Sequence, residues 1–250
     1  MIRSALLVTL GVAITAFMSL CAVVFSVFPN SDDRVHKIAN IWGKILLLIC
    51  NTKAEVIGKE NLDRAKPHVF MANHQSDFDI LIVLAYIPGQ FRWLVKKDLF
   101  NIPVFGAAMK GAGYISIDRQ NRENAMQSMD EAALRIRNGK SIMTFPEGTR
   151  SRDGEIKAFK HGAFYLAIKS GVPIIPVTII GSGRIMPKRS LRVRPGRVKL
   201  IIDKPIDVKK YSIEDRQALI EKVRNIIIKN YDEWRDADTA DIIDTEKDIS

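Results

Sequence analysis

The stretch Val69-Phe70-Met71-Ala72-Asn73-His74-Gln75-Ser76-Asp77-Phe78-Asp79-Ile80-Leu81-Ile82-Val83-Leu84 decides how this chain folds. Its first four residues form a short continuous apolar run, the pattern of a strand buried on both faces. The apolar character resumes at Ile80, in what reads as a helix or a second buried element. On a regular helix, His74 and Asp79 would be rotated by about 500°, leaving their side chains roughly 140° apart. They meet only if the chain turns between them, with His74 in the turn and Asp79 in the first helical turn. A strand-to-helix junction does this. A histidine and a carboxylate brought together there have the form of a general base and its orienting partner. Ser76-x-x-Asp79 also fits a capping box, in which Asp79 only satisfies backbone donors at the helix start. Both readings stand at this point.

Outward from this junction, short apolar runs alternate with helix-length segments from residue 54 onward, as in an α/β domain. Strands are expected at residues 55–57, 69–72, 92–95, 114–117, 141–145, 174–180 and 197–202. Helices are expected at residues 79–86, 106–110, 122–138 and 161–170, the third stopped by Asn138-Gly139. Pro173 and Pro176 mark the strand at 174–180 as an edge or a shaped wall, because proline withholds a ladder donor. After Ser212, apolar residues recur at helical spacing (Leu219, Ile220, Val223, Ile226, Ile227), predicting a helix packed on the domain. Beyond it, eight acids and two bases from Asp232 to the end read as a disordered acidic tail. The expected division is 1–53, 54–231 and 232–250.

Residues 4–31 hold no charged side chain, and residues 5–28 are 24 mostly apolar positions. A helix of ~20 residues crosses a bilayer core of ~30 Å. The run is too long for a signal-peptide core, and no small-x-small cleavage site follows it. Residues 38–50, with Trp42 and Lys44, are too short to span and suit an interfacial helix. Two topologies stay open. In one, the first segment spans, and Arg34, Lys37, Lys44 and Lys53 keep the main domain cytoplasmic. In the other, both segments dip into one leaflet as a hairpin.

Cys21 and Cys50 lie in apolar segments and read as small hydrophobes in a reducing compartment. The four histidines are scattered and no Cys/His cluster has zinc spacing, so no metal is expected. The net charge is +10, and residues 181–202 carry Arg184, Lys188, Arg189, Arg192, Arg194, Arg197 and Lys199 without one acid. Such a run suits headgroups, an acidic carrier protein or nucleic acid, unless it only defends a solvated strand edge. Nucleic acid ranks last, since no aromatic residues interleave with the bases and no nucleic-acid motif is present.

Three further motifs follow strand candidates or open one. Phe145-Pro146-Glu147-Gly148-Thr149-Arg150-Ser151 turns sharply after residues 141–145, and Arg150 offers a planar fork suited to a phosphate. Gly113-Tyr114-Ile115-Ser116-Ile117-Asp118-Arg119 ends a strand in a second arginine. Val172-Pro173-Ile174-Ile175-Pro176-Val177 opens another. In this order, with His74-x4-Asp79 first, the four blocks closely resemble the 1-acylglycerol-3-phosphate (lysophosphatidic acid) acyltransferase family of glycerolipid acyltransferases. The third block matches at every position, and the resemblance runs from about residue 55 to 207. Residues 95–100 and 159–162 are similar to the family's connecting segments, with His161 where lysine is commoner.

The resemblance implies a mixed β-sheet flanked by helices, with an N-terminal membrane-embedded helical segment. It also implies acyl transfer from an acyl thioester, on CoA or an acyl carrier protein, to the free hydroxyl of 1-acylglycerol 3-phosphate. His74 would act as base and Asp79 as its partner, in a single displacement without metal or cofactor. Arg119, Glu147, Gly148, Thr149 and Arg150 would hold the acceptor's phosphate end, Glu147 by orienting an arginine or a glycerol hydroxyl. Asn73, Lys97 and Lys160 are further candidates. Another lysolipid or glycerol 3-phosphate is the alternative acceptor. The rival readings are a metal-dependent hydrolase using His74, Asp77, Asp79 and Glu147, and a non-catalytic lipid-binding protein. Membrane lipids and the acyl donor are the expected partners, at the cytoplasmic side of a membrane.

Overall fold

Two helices precede any strand. In the computed structural model, which describes residues 2–118 and 121–247, α1 (Ile2–Ser26) and α2 (Asp32–Ile49) form a helical hairpin. There follow β1 (Thr52–Ile57), β2 (Val69–Ala72), α3 (Phe78–Tyr86), β3 (Phe91–Lys96), α4 (Phe105–Gly111), β4 (Ile115–Ile117) and α5 (Arg122–Arg137). The chain continues through β5 (Ser141–Thr144), α6 (His161–Ser170), β6 (Ile174–Ile180), α7 (Ser182–Ile185), β7 (Gly196–Ile202) and α8 (Arg216–Lys247).

The strands form one seven-stranded mixed sheet in the order β1-β7-β6-β2-β5-β3-β4. Among the described residues only strands β6 and β7 pair antiparallel; the other neighbours are parallel. Parallel neighbours need long crossovers, which the helices supply on both faces of the sheet. Side-chain alternation along β2 shows how the faces are divided. Val69 and Met71 enter a core with Ala132 of α5, Phe164 of α6 and Val223 of α8. Phe70 and Ala72 enter the opposite core with Ile82 of α3 and Leu47 of α2.

Three expectations need correction. β6 is no edge: it lies between β2 and β7 and all seven of its residues are buried. Its proline is tolerated because pairing with β7 begins at Val177, so Pro176 stands one residue outside the ladder while its carbonyl accepts from Asp203 N–H at 3.0 Å. The segment 38–50 is not a separate interfacial helix. It belongs to α2, which starts at Asp32 and buries Leu46 and Leu47 in the core. Within α2, the Trp42 indole N–H donates to Thr15 Oγ1 at 3.0 Å, joining α2 to α1. The acidic end, expected to be disordered, continues helically in α8 as far as Lys247.

α1 is long and apolar enough to cross a membrane, and little of it is buried. It does not leave the body at either end. Ser4 Oγ donates to Val193 O and accepts from Val193 N–H, at 3.4 and 3.3 Å. At the other end, Gly111 of α4 backs onto Ser26 so closely that an added β-carbon would stand 2.5 Å from the serine's.

Candidate active site

His74 follows β2 and the Phe145–Ser151 turn follows β5, so both leave the carboxyl ends of two adjacent parallel strands. Crevices in open α/β sheets form at such ends. His74 Nδ1 lies 2.8 Å from Asp79 Oδ2, and the same oxygen accepts from the backbone N–H groups of Gln75 and Ser76 at 2.7 and 2.8 Å. One carboxylate oxygen therefore gathers the loop's backbone donors and also holds the imidazole, so the contacts expected by the two sequence readings of Asp79 coexist. A carboxylate accepts, which places the ring proton on Nδ1 and leaves Nε2 as the basic nitrogen.

The residue His74 is gripped by the neighbouring turn through its backbone. Its N–H donates to Glu147 Oε1 at 2.8 Å, and its carbonyl accepts from Ser151 N–H at 2.8 Å. The Phe145 ring stacks on the imidazole, with centroids 3.9 Å apart and planes 6° apart. Glu147 Oε2 accepts from Lys157 N–H at 3.1 Å. Burial raises the Glu147 carboxyl above its ordinary value, against the lowering by those two N–H bonds. Its oxygens are thus committed to main chain, whereas the sequence reading had them orienting an arginine or a hydroxyl.

Gly148 adopts φ 71°, the left-handed region that favours glycine, and Lys160 Cε would stand 2.9 Å from a β-carbon there. The turn is tight because the Lys160 stem crosses it. Arg150 pairs with Asp77, inside the His74–Asp79 loop. Lys188 Nζ donates to Thr149 Oγ1 at 3.3 Å and to the Arg150 carbonyl.

The remaining candidates are spread more widely. Asn73 is fully buried, and its amide clasps the backbone of Ile179, Nδ2 to O and Oδ1 from N–H, both at 2.8 Å. It works as an added rung between β2 and β6. Lys97 is exposed and pairs with Asp118 at 3.2 Å. Arg119 lies outside the described residues. The hydrolase reading's ligand set is not assembled: among the described residues no group of three or more His, Cys, Asp or Glu is placed to hold a metal. Ser76 and Ser151, the serines beside His74, direct their hydroxyls to Met186 O and Asp153 Oδ1.

A cavity of about 400 Å³ runs from His74, Thr149 and Arg150 beneath Trp93 and Phe145 to Met18 and Ala22 of α1 and Ala108 of α4. Its walls are mostly apolar. A polar cluster lies behind it. Fully buried Arg92 donates to Asp32 and Asp33 at the start of α2, and Lys140 reaches the same carboxylates. Tyr114, which lines the cavity, bonds His36 Nδ1 at 3.0 Å. The only sequence signal for this cluster is a charged residue, Arg92, inside an apolar strand.

Residues 53–180 match the family model described as Acyltransferase. The chain is 31% identical over 213 residues to the 1-acyl-sn-glycerol-3-phosphate acyltransferase alpha of Bos taurus, covering 85% of this chain and 74% of that protein. This chain belongs to that acyltransferase family. It is also 38% identical over 173 residues to the chloroplastic 1-acyl-sn-glycerol-3-phosphate acyltransferase BAT2 of Brassica napus, 68% of this chain and 50% of that one. The chain thus spans about half the length of this chloroplast relative. The crystal structure of the 1-acyl-sn-glycerophosphate (LPA) acyltransferase PlsC from Thermotoga maritima superimposes with a TM-score of 0.81 at 26% identity, covering 94% of this chain and 95% of that one. Within this acyltransferase family member, the first and third motifs meet at the carboxyl ends of adjacent β2 and β5, the second ends β4 on the far side of β3, and the fourth opens β6 at the amino ends, where Ile174 lies opposite Val69.

Proposed function

We propose that the protein transfers a fatty acyl group from an acyl thioester, on CoA or an acyl carrier protein, to the sn-2 hydroxyl of 1-acylglycerol 3-phosphate, giving phosphatidic acid. The observation that carries this reading is the His74–Asp79 pair at the mouth of an apolar cavity. His74 Nε2 takes the hydroxyl proton while Asp79 holds the Nδ1 proton and steadies the imidazolium. The alkoxide oxygen bonds to the thioester carbonyl carbon, the carbon–sulfur bond then breaks, and the imidazolium returns its proton to the departing thiolate. No acyl-enzyme is needed. The donor's acyl chain lies in the cavity between α1, α2 and α4.

The acceptor's phosphate end lies at the Gly148-Thr149-Arg150 turn, with Arg119, Lys97 and Lys160 as further cations. Arg150 must then exchange part of its bond to Asp77 for phosphate oxygens. Glu147 and Asn73 act as positioning residues, one bracing the His74 backbone and the other the strand end before it. The protein works at the cytoplasmic face of a membrane. Contact of α1 with the body at Ser4 and Ser26 supports the one-leaflet hairpin over the spanning topology.

Donor and acceptor profiling of purified protein in detergent tests the proposal. Transfer of acyl groups to 1-acylglycerol 3-phosphate, and not to glycerol 3-phosphate, is expected. Transfer only to another acceptor reassigns the substrate, and transfer to none defeats the reading.

A further inference from the structure

The loop between α7 and β7 touches both the membrane-helix candidate and the active-site turn. Val193 is held by Ser4 in the first turn of α1 through two hydrogen bonds. At the loop's other side, Lys188 holds the Arg150 carbonyl and Thr149 Oγ1. Between these two attachments, Leu191 is 71% exposed and projects no apolar surface into either core. Arg189, Arg192 and Arg194 flank it and are all exposed. No acid lies anywhere from residue 181 to 202. An exposed leucine collared by arginines is a poor solvent-facing tip, but it suits a water–lipid boundary, where the leucine enters and the guanidinium groups meet phosphate. The tie at Ser4 places this tip beside the first turn of α1, whose far side exposes Ile2 and Leu6.

We propose that residues 186–195 form a second membrane contact, with Leu191 at the lipid boundary and Arg189, Arg192 and Arg194 on anionic headgroups. The contact would hold the Thr149–Arg150 side of the active-site mouth against the lipid surface. It rests on the reading of α1 as a lipid-facing helix. The occupant is an anionic bilayer rather than a carrier protein. A carrier's acidic helix would account for the arginines but would leave the exposed Leu191, beside the first turn of α1, unexplained.

The test compares full-length protein with the R189Q/R192Q/R194Q variant on phosphatidylcholine vesicles, with and without phosphatidylglycerol. Each basic residue near an anionic surface contributes roughly fivefold to partitioning, so the variant's affinity for the mixed vesicles should fall by about 100-fold. Affinity for pure phosphatidylcholine should stay unchanged. In a second variant, L191W, the added indole fluorescence should shift to the blue on mixed vesicles, reporting burial independently of charge. Transfer to a short-chain, water-soluble acceptor should be the same in the triple variant as in the wild type. Equal vesicle binding by the triple variant, or no blue shift, overturns the proposal. A raised donor constant with vesicle binding unchanged also overturns it, assigning the arginines to donor phosphates or a carrier protein. The vesicle measurements need no turnover, so failure of the acyl-transfer reading would appear separately, as a wild-type protein inactive on every lysolipid.

Discussion

Glu147 holds His74 by its backbone: Oε1 accepts the histidine's own N–H at 2.8 Å, leaving the imidazole to Asp79. In Glu147→Gln, the amide nitrogen would oppose one of two backbone N–H groups and leave a buried donor unpaired, a cost of about 1–3 kcal/mol. The expected result is a lower melting temperature and a kcat reduced ~10-fold or more, with the acceptor KM little changed. A large rise in acceptor KM at constant kcat would instead make Glu147 a substrate contact.

His74→Ala should lower kcat by at least ~10²-fold while the protein stays folded, the usual cost of losing a general base. Asp79→Asn should do the same and also destabilise the loop, because Oδ2 collects the Gln75 and Ser76 N–H groups as well as the ring. Circular dichroism beside single-turnover rates separates the two effects. A folded His74→Ala protein with near-normal turnover contradicts the mechanism.

Arg150→Ala should raise the acceptor KM by ~10–150-fold, the loss of charge-assisted bonds worth roughly 1.5–3 kcal/mol. Asp77→Asn, which releases Arg150 from its ion pair, should lower that KM or leave it unchanged. If only the donor constant moves, Arg150 serves the donor's phosphates.

His36 gives a pH dependence of stability. Burial first, and then the positive charge of Arg92, lower its pKa from 6.5 to about 3. Between these values the unfolded histidine binds a proton that the folded one does not. Stability contributed at neutral pH is therefore lost as pH falls from 6.5 toward 3, by up to ~1.4 kcal/mol per pH unit. Asp32 and Asp33 add to the loss only lower down. Burial would raise them, but Arg92 and Lys140 outweigh it and hold both below 3.8. Urea midpoints of the detergent-solubilised protein should fall across this window, and His36→Gln should flatten the upper part of the decline.

Much of this was legible in the sequence, and the limits have physical causes. β2 and β6 run as the periodicity predicts, over Val69–Ala72 and Ile174–Ile180, because buried strands leave continuous apolar runs. The His74–Asp79 contact was legible as a condition: rotation per residue forbids it on a regular helix, and the strand-to-helix junction permits it. The roles of α1 and α2 do not. Apolar composition says only that a helix avoids water; whether lipid or protein covers each face depends on tertiary contacts. Leu46 and Leu47 turn inward to the core while Leu48 stays exposed, and no local pattern announces that division. The backbone clasps of Glu147 and Asn73 were invisible for a related reason. Their partners are main-chain groups 73 and 106 residues away, which carry no side-chain signature.

Because Met18 and Ala22 of α1 line the cavity, the proposed acyl-chain site depends on α1 whatever its contact with lipid. Deleting residues 1–31 should abolish transfer even to a water-soluble acceptor, by removing a cavity wall. Ala22→Leu should shift donor preference toward shorter acyl chains. Competition between donors of graded length reads this directly, and an unchanged preference would place the chain elsewhere.

In the one-leaflet arrangement proposed above, α1, tied to the body near both ends, faces a single leaflet. An enzyme seated this way draws its lysolipid from that leaflet and returns the two-chain product to the same side. The area of one monolayer would then grow while the other stands still. The bilayer would bend toward the lagging side until lipids cross over, so that seating would make membrane growth depend on transbilayer traffic.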